Sequence, residues 1–195
     1  MDLFISMAAF ALAASISPGP VNLVGLASGM QYGFRAGMRH VTGATAGFTV
    51  LLIMTGFGVN ALLHYLPSLI GTIKWAGAAF LLYMAYKLAI GDGRLATAKS
   101  TRGPSMYSGA AMQWLNPKAW LASLAGMGAY VGDGSTSLIW TFAAIYFVIC
   151  YASLASWVVA GMFLRRHLGD PERMRWLNRV LAMLLVLSTV YLIRE

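Results

Sequence analysis

The sequence predicts an all-α integral membrane protein of six transmembrane helices, built as two inverted three-helix repeats in which helices 1 and 4 are broken. Of its 195 residues, 59% are hydrophobic and only 10% are charged, whereas a soluble domain carries about 25% charged residues. Its apolar segments are each close to the ~20 residues that cross a bilayer. Prolines interrupt the first and fourth of these segments, at Pro18 and Pro20 and at Pro117.

Six apolar segments divide the chain into two halves of three. We predict membrane spans at Leu3–Met30, Ala36–Tyr65, Ser68–Ile90, Ser108–Val131, Ser137–Leu164 and Arg175–Ile193. Residues 1–90 then form the first repeat, residues 91–107 a cytoplasmic linker and residues 108–195 the second repeat of one membrane domain. Because each half has an odd number of spans, the second half enters the membrane upside down relative to the first.

Basic residues concentrate in three of the predicted connections. They are Arg35 and Arg39 in the first, Lys87, Arg94, Lys99 and Arg102 around the linker, and Arg165, Arg166, Arg173, Arg175 and Arg179 in the last. Cytoplasmic loops of membrane proteins are enriched in Lys and Arg. We therefore interpret the net charge of +8 as loop charge and expect both termini to face the periplasm.

The first span contains residues that cannot continue an α-helix. Pro18 and Pro20 lack an N–H group, and Gly19 adds backbone freedom between them. A half-helix that begins after Pro20 presents free N–H groups and the positive end of its dipole, which attract an anion. The alternative is a simple proline kink. The candidate substrate-binding residues here are Ser15, Ser17, Pro18, Gly19, Pro20 and Asn22.

The fourth span contains the corresponding break at Asn116-Pro117. Lys118 follows it about 15 Å into the span, at 1.5 Å per residue. An ammonium group near the bilayer midplane is expensive and usually functional, although a long side chain can also extend to the interface. Gln113, Asn116, Pro117 and Lys118 complete the candidate binding residues.

Other chemistry is sparse. No Asp or Glu lies within a predicted span, so a metal ion or a proton cycle would lack its usual carboxylates. We expect His40 and His64, at the ends of the second span, and His167, in a basic loop, to be interfacial. Cys150 is the single cysteine and cannot form a paired-thiol relay. No nucleotide-binding or hydrolase motif is present, so we predict neither a cofactor, nor a metal, nor an enzyme.

Glycines recur at every fourth position where the first two spans meet. They are Gly25, Gly29, Gly33 and Gly37, with Gly43 and Gly47 continuing the spacing. Small residues at this spacing allow helices to approach closely in lipid. We predict that they pack the first span against the second, and the pattern leaves homodimerisation open.

With these residues in view, the chain resembles the LysE/RhtB family of bacterial amino-acid exporters. The resemblance covers nearly the whole chain and rests on Ser17–Pro20 with Asn22, Arg35-Ala36-Gly37, Gly43–Gly47, Lys74–Tyr83 and Asn116–Ala119. It implies export of amino acids or close relatives from the cytoplasm, driven by the proton-motive force. Val21 occupies the position where that family often has Asn or Asp.

Together these observations predict a secondary transporter of the bacterial inner membrane. Its substrate would be a small zwitterion, most simply a neutral amino acid or derivative, with its carboxylate at the two half-helix N-termini and Lys118 as counter-ion. Two alternatives remain open at this point, a channel-like pore for small solutes and a membrane assembly protein that transports nothing.

Overall fold

The structure, a computed structural model, describes residues 2–62, 66–90, 103–131, 135–167 and 170–194. Within these ranges it is helical, with no strand. The helices are α1 (Asp2–Ile16), α2 (Pro20–Tyr32), α3 (Phe34–Leu62), α4 (Leu66–Ala89), α5 (Met106–Trp114), α6 (Pro117–Tyr130), α7 (Thr136–His167) and α8 (Pro171–Arg194). Linker residues 91–102, His64 and Asp133, which the sequence placed in loops or at span ends, lie outside the described residues.

The predicted break in the first span is present. Helix α1 ends at Ile16 and α2 begins at Pro20, and the two axes are bent by 62°. Proline is well suited to the first turn of a helix, where its missing N–H has no intrahelical partner to lose. Gly33, with a φ of 80°, then separates α2 from α3 in a backbone conformation that only glycine adopts readily.

The predicted break in the fourth span is also present. Helix α5 ends at Trp114 and α6 begins at Pro117, with Leu115 and Asn116 between them. The Asn116 side chain caps α6, because its Oδ1 accepts a hydrogen bond from the Lys118 N–H at 3.2 Å.

Two of the described helices are long and apolar enough to cross a membrane, over Phe34–Gly58 and Thr136–Arg165, and α1 with α2 makes a third if the bent pair is one span. Large apolar side chains are exposed on the outside of the bundle, among them Phe57, Trp140, Val148 and Leu187. This is the surface expected of a protein solvated by lipid. The six-span count and the inverted repeat stay predictions.

Helix α7 is the centre of the packing. It contacts α1, α2 and α3, while α3 also packs on α5 and α6, and α4 packs on α8. The core between them includes Met30, Leu51, Phe142, Leu154 and Val158, all almost fully buried.

Glycines do allow close helix contacts, but the predicted partner was wrong. A methyl group at Gly29 would overlap the Val158 carbonyl of α7, and one at Gly161 would overlap the Leu26 carbonyl. A methyl group at Gly43 would likewise overlap the Met106 carbonyl of α5. The first span therefore uses its glycines against the fifth. The second span uses Gly43 and Gly47 against the fourth and Gly37 against the fifth.

Candidate functional site

A cavity of about 40 Å³ lies where the two helix breaks meet. Seven of the ten predicted residues line it, namely Ser15, Gly19, Pro20, Asn22, Gln113, Asn116 and Lys118. The other three, Ser17, Pro18 and Pro117, lie within or next to the breaks themselves. The structure thus brings together two stretches that are about one hundred residues apart in the chain.

A direct contact between Lys118 and Ser17 joins the two breaks. The Lys118 Nζ donates to the Ser17 Oγ at 2.7 Å and lies 3.4 Å from the Ser17 carbonyl oxygen. The ammonium group therefore points into the break between α1 and α2 and meets no carboxylate among the described residues. It is held at the start of α2 by neutral oxygen atoms, which an anion could replace or supplement.

The N-terminus of α2 has unpaired hydrogen-bond donors. Gly19 is the N-cap residue and supplies no side-chain cap. The first backbone hydrogen bond of the helix joins the Leu23 N–H to the Gly19 carbonyl at 2.9 Å, so the N–H groups of Val21 and Asn22 precede it. At α6 the corresponding Lys118 N–H is already bound by Asn116. Only the first of the two predicted half-helix N-termini is uncapped.

Polar side chains on both sides of the first break face the cavity. The Asn22 Nδ2 donates to the Ser15 carbonyl at 2.8 Å and so spans the gap between α1 and α2. The Ser15 Oγ is buried, and its neighbours on α7 are the Tyr146 hydroxyl and the Cys150 thiol, but it makes no hydrogen bond of good geometry in the described part of the chain. A buried hydroxyl without a well-formed hydrogen bond is costly, so it is a natural contact for a bound polar molecule.

Helix α7 contributes a wall that we did not predict. Tyr146, Cys150 and Leu154 line the cavity, and their spacing of four residues places them on one face of the helix. Phe48 of α3 stacks on Tyr146 with ring centroids 4.4 Å apart. The spacing was visible in the sequence, but in a long apolar helix it does not tell a cavity wall from ordinary core packing.

The prediction for His40 was wrong. Its side chain is 1% exposed, and its Nε2 lies 3.3 Å from the carbonyl oxygen of Val21, a residue that lines the cavity. The sequence placed His40 near the end of a span, but Val21 and Gly25 of α2 and Gly109 of α5 lie against it. Among the described residues, no group of three His, Cys, Asp or Glu side chains could hold a metal ion.

A polar cavity between two discontinuous helices of a multi-pass membrane protein is the arrangement found in secondary transporters. Comparison with known proteins specifies this class further. A sequence model of the LysE type translocator family matches residues 12–195, so the chain belongs to the family of LysE type translocators. The predicted resemblance is confirmed.

Relatives with assigned names align over almost the whole chain. The cysteine/O-acetylserine efflux protein of Escherichia coli O1:K1 is 27% identical over 184 residues, which are 93% of this chain and 92% of the relative. The proteins of the same name from Escherichia coli K12 and Shigella flexneri serotype 5b are 26% identical over the same lengths. No solved structure matches the chain significantly.

Proposed function

We propose that this protein is a secondary transporter that exports a small neutral amino acid or a close derivative from the cytoplasm by alternating access, across the bacterial inner membrane. Membership of the translocator family and full-length relatives named as cysteine/O-acetylserine efflux proteins support the class of substrate. The observation that carries the proposal is the cavity at the two breaks, with a cation, free N–H groups and neutral oxygen atoms.

The chemistry of the cavity suits a zwitterion. The substrate carboxylate would accept hydrogen bonds from the Val21 and Asn22 N–H groups at the positive end of α2 and would pair with Lys118. The substrate ammonium group would donate to neutral oxygen atoms such as the Ser15 Oγ. A cationic amino acid would find no carboxylate among the described lining residues, which is why we propose a neutral substrate.

The size of the cavity indicates a closed conformation. About 40 Å³ is room for about three water molecules, at the ~10–15 Å³ that each needs, and is too little for an amino acid. Binding therefore requires that the half-helices α1, α2, α5 or α6 move. In that movement the Lys118–Ser17 contact would break, and the Lys118 ammonium group would pair with the substrate carboxylate instead.

The pattern of helix contacts supports the proposed inverted repeat. If spans one, two and three correspond to spans four, five and six, the contact of α1 and α2 with α7 corresponds to that of α5 and α6 with α3. The contacts of α3 with α7 and of α4 with α8 each correspond to themselves. The observed set is unchanged by this exchange, as a repeat requires.

Counterflow in proteoliposomes tests the proposal. Purified protein is reconstituted with unlabelled amino acid inside, and uptake of labelled cysteine, O-acetylserine, serine or lysine from outside is followed. We expect saturable counterflow of at least one neutral compound and little with lysine. Lys118→Met should lower the apparent affinity at least tenfold, since it removes the only cation among the described lining residues. A pore would give flux without counterflow, and an assembly protein would give neither.

The control variant is Arg175→Ala. Arg175 forms a long ion pair with Glu172, at 4.0 Å, and is not among the residues that line the cavity. The variant should leave counterflow unchanged. Equal affinity in Lys118→Met and Arg175→Ala would refute the assignment of Lys118, whereas failure of every amino acid in the native protein would refute the proposed function.

A further inference from the structure

His40 is a buried ionisable group whose ring has one satisfied and one unsatisfied nitrogen. Its Nε2 lies 3.3 Å from the Val21 carbonyl oxygen and can donate to it, which leaves Nδ1 as the unprotonated nitrogen. Nδ1 is buried and has no hydrogen-bond partner in the part of the chain that the structure describes. The conformation therefore accommodates a neutral imidazole, and a proton on Nδ1 would create a buried N–H and a buried charge without any acceptor.

Among the side chains that the structure describes, none accepts a hydrogen bond from such a proton. The titratable or charged residues on the elements packed against α3 are Tyr32 on α2, Tyr107 on α5, Lys118 and Tyr130 on α6, and Tyr146, Cys150, Tyr151, Arg165, Arg166 and His167 on α7; α3 itself also carries Arg35 and Arg39. None of these described groups has a hydrogen bond to His40. All the ionised ones are cations, which disfavour a further positive charge.

The surroundings of His40 are also tightly packed. A methyl group at Gly25 would lie 4.0 Å from the His40 ring, and one at Gly109 would overlap the His40 carbonyl. The nearby glycine contacts of Gly29 with α7 and Gly43 with α5 leave no space for an added methyl group. Helices α2 and α5, which make these contacts, are the halves of the broken spans that adjoin the basic connections.

We propose that His40 is a proton-binding site of the transporter. A proton on its Nδ1 separates α2 and α5 from the helices packed against them and so opens the bundle on the side of the basic connections. This inference rests on the proposed function for its role in transport. When His40 is neutral, α2 and α5 stay packed against α3, and the ring contacts the Val21 carbonyl, as in the structure. A proton that reaches Nδ1 needs an acceptor, and separation of α2 from α3 and α7 supplies water as that acceptor.

This site gives the chain a proton carrier without an intramembrane carboxylate. His40 contacts the carbonyl of the residue next to Pro20, so a change at the ring is transmitted directly to the start of α2. In export, a proton that binds from the periplasmic side would open the cytoplasmic side and be released there. Substrate binding and the return of a neutral imidazole would then close that side again. An imidazole takes up its proton in water near pH 6.5, within the range of a physiological gradient.

Proteoliposomes test the link to transport. The variant His40→Gln keeps an N–H donor that can reach the Val21 carbonyl but cannot take up a proton. We expect the stimulation of efflux by an external pH one unit below the internal pH to be lost, and counterflow at equal pH to fall as well, because the variant cannot take up the proton that opens the cytoplasmic side. His167→Gln, the same change at the last residue of α7, should retain the stimulation. Retained stimulation in His40→Gln would overturn the proposal.

A second measurement needs neither substrate nor a variant that folds. Hydrogen–deuterium exchange of the native protein in detergent is compared at pH 7.5 and pH 5.5, after correction for the intrinsic rate. We expect exchange in residues 20–32 and 34–47 to rise by up to about tenfold at the lower pH, the limit for one imidazole that titrates near pH 6.5 when open, with residues 139–150 of α7 as the internal reference. Unchanged protection in both segments would overturn the proposal, whether or not any amino acid is transported. Absence of counterflow with preserved pH-dependent opening would refute the export function instead.

Discussion

A graded series of glycine-to-alanine changes tests the close helix packing that distinguishes this fold. A methyl group at Gly43 would overlap the Met106 carbonyl, and one at Gly47 would lie 2.8 Å from the Ala110 Cα. At Gly25 the nearest atom would be 3.8 Å away, an ordinary contact, and at Gly128 no atom would lie within 4 Å. All four residues are helical, so the same change meets four different amounts of space.

The expected magnitudes follow from two opposing terms. Alanine in a helix interior is favoured over glycine by about 0.8–1.0 kcal/mol, and overpacking a filled interface costs about 1–3 kcal/mol. Gly128→Ala should therefore gain about 1 kcal/mol and Gly43→Ala should lose up to about 2 kcal/mol. At about 2–4 °C per kcal/mol for a chain of this size, Tm should rise by about 2–4 °C in Gly128→Ala and fall by up to about 8 °C in Gly43→Ala.

The single cysteine makes this series easy to measure. Cys150 is only 3% exposed, so a thiol-reactive fluorogenic dye reports unfolding without any added label. We expect the order of Tm to be Gly128→Ala, Gly25→Ala, Gly47→Ala and then Gly43→Ala. If Gly43→Ala were as stable as Gly128→Ala, helices α3 and α5 would not approach each other as closely as described, and the reasoning would be refuted.

Two further changes probe contacts that hold the candidate site, and a third probes an exposed ion pair away from it, each by the same dye assay. In a double-mutant cycle of Ser17→Ala and Lys118→Met, the coupling should be about 1.5–3 kcal/mol, the range for a hydrogen bond to a charged group, and additive effects would contradict the 2.7 Å contact. Asn116→Ala should destabilise by about 0.5–2 kcal/mol through loss of the α6 cap, whereas Asn116→Ser should keep most of it; equal losses would rule out capping. Glu172→Gln should change Tm by less than about 2 °C, because its pair with Arg175 is long and solvent-exposed, and a larger fall would show a structural role.

The sequence predicted the two helix breaks and most of the cavity because these depend on local covalent chemistry. Proline cannot donate a backbone hydrogen bond in any surroundings, so Pro18, Pro20 and Pro117 mark the breaks in the sequence itself. Polar residues beside a break then become candidates for a cavity. Tyr146 and Cys150 escaped prediction because a polar side chain within a long apolar helix faces a cavity or the core with the same spacing.

Two predictions failed because they depended on which helix packs against a given segment, and the pattern of residues within that segment does not show this. The glycine repeat indicates that helices approach closely but not which helices do so. We predicted that the first span packs against the second, whereas the glycines contact α7 and α5. His40 was judged by its distance from a span end. Its burial depends on α2, which Gly33 turns back against α3.

By itself, the sequence determined that this is a helical membrane protein of the LysE type with helices broken at Pro18–Pro20 and at Pro117. Composition, proline chemistry and family motifs are properties of the chain that folding does not alter. Only the tertiary structure decided that Lys118 reaches Ser17, that α7 closes the cavity and that His40 is buried beside Val21. These are contacts between distant segments, and they form where the packing of several helices leaves a given side chain a single place to lie.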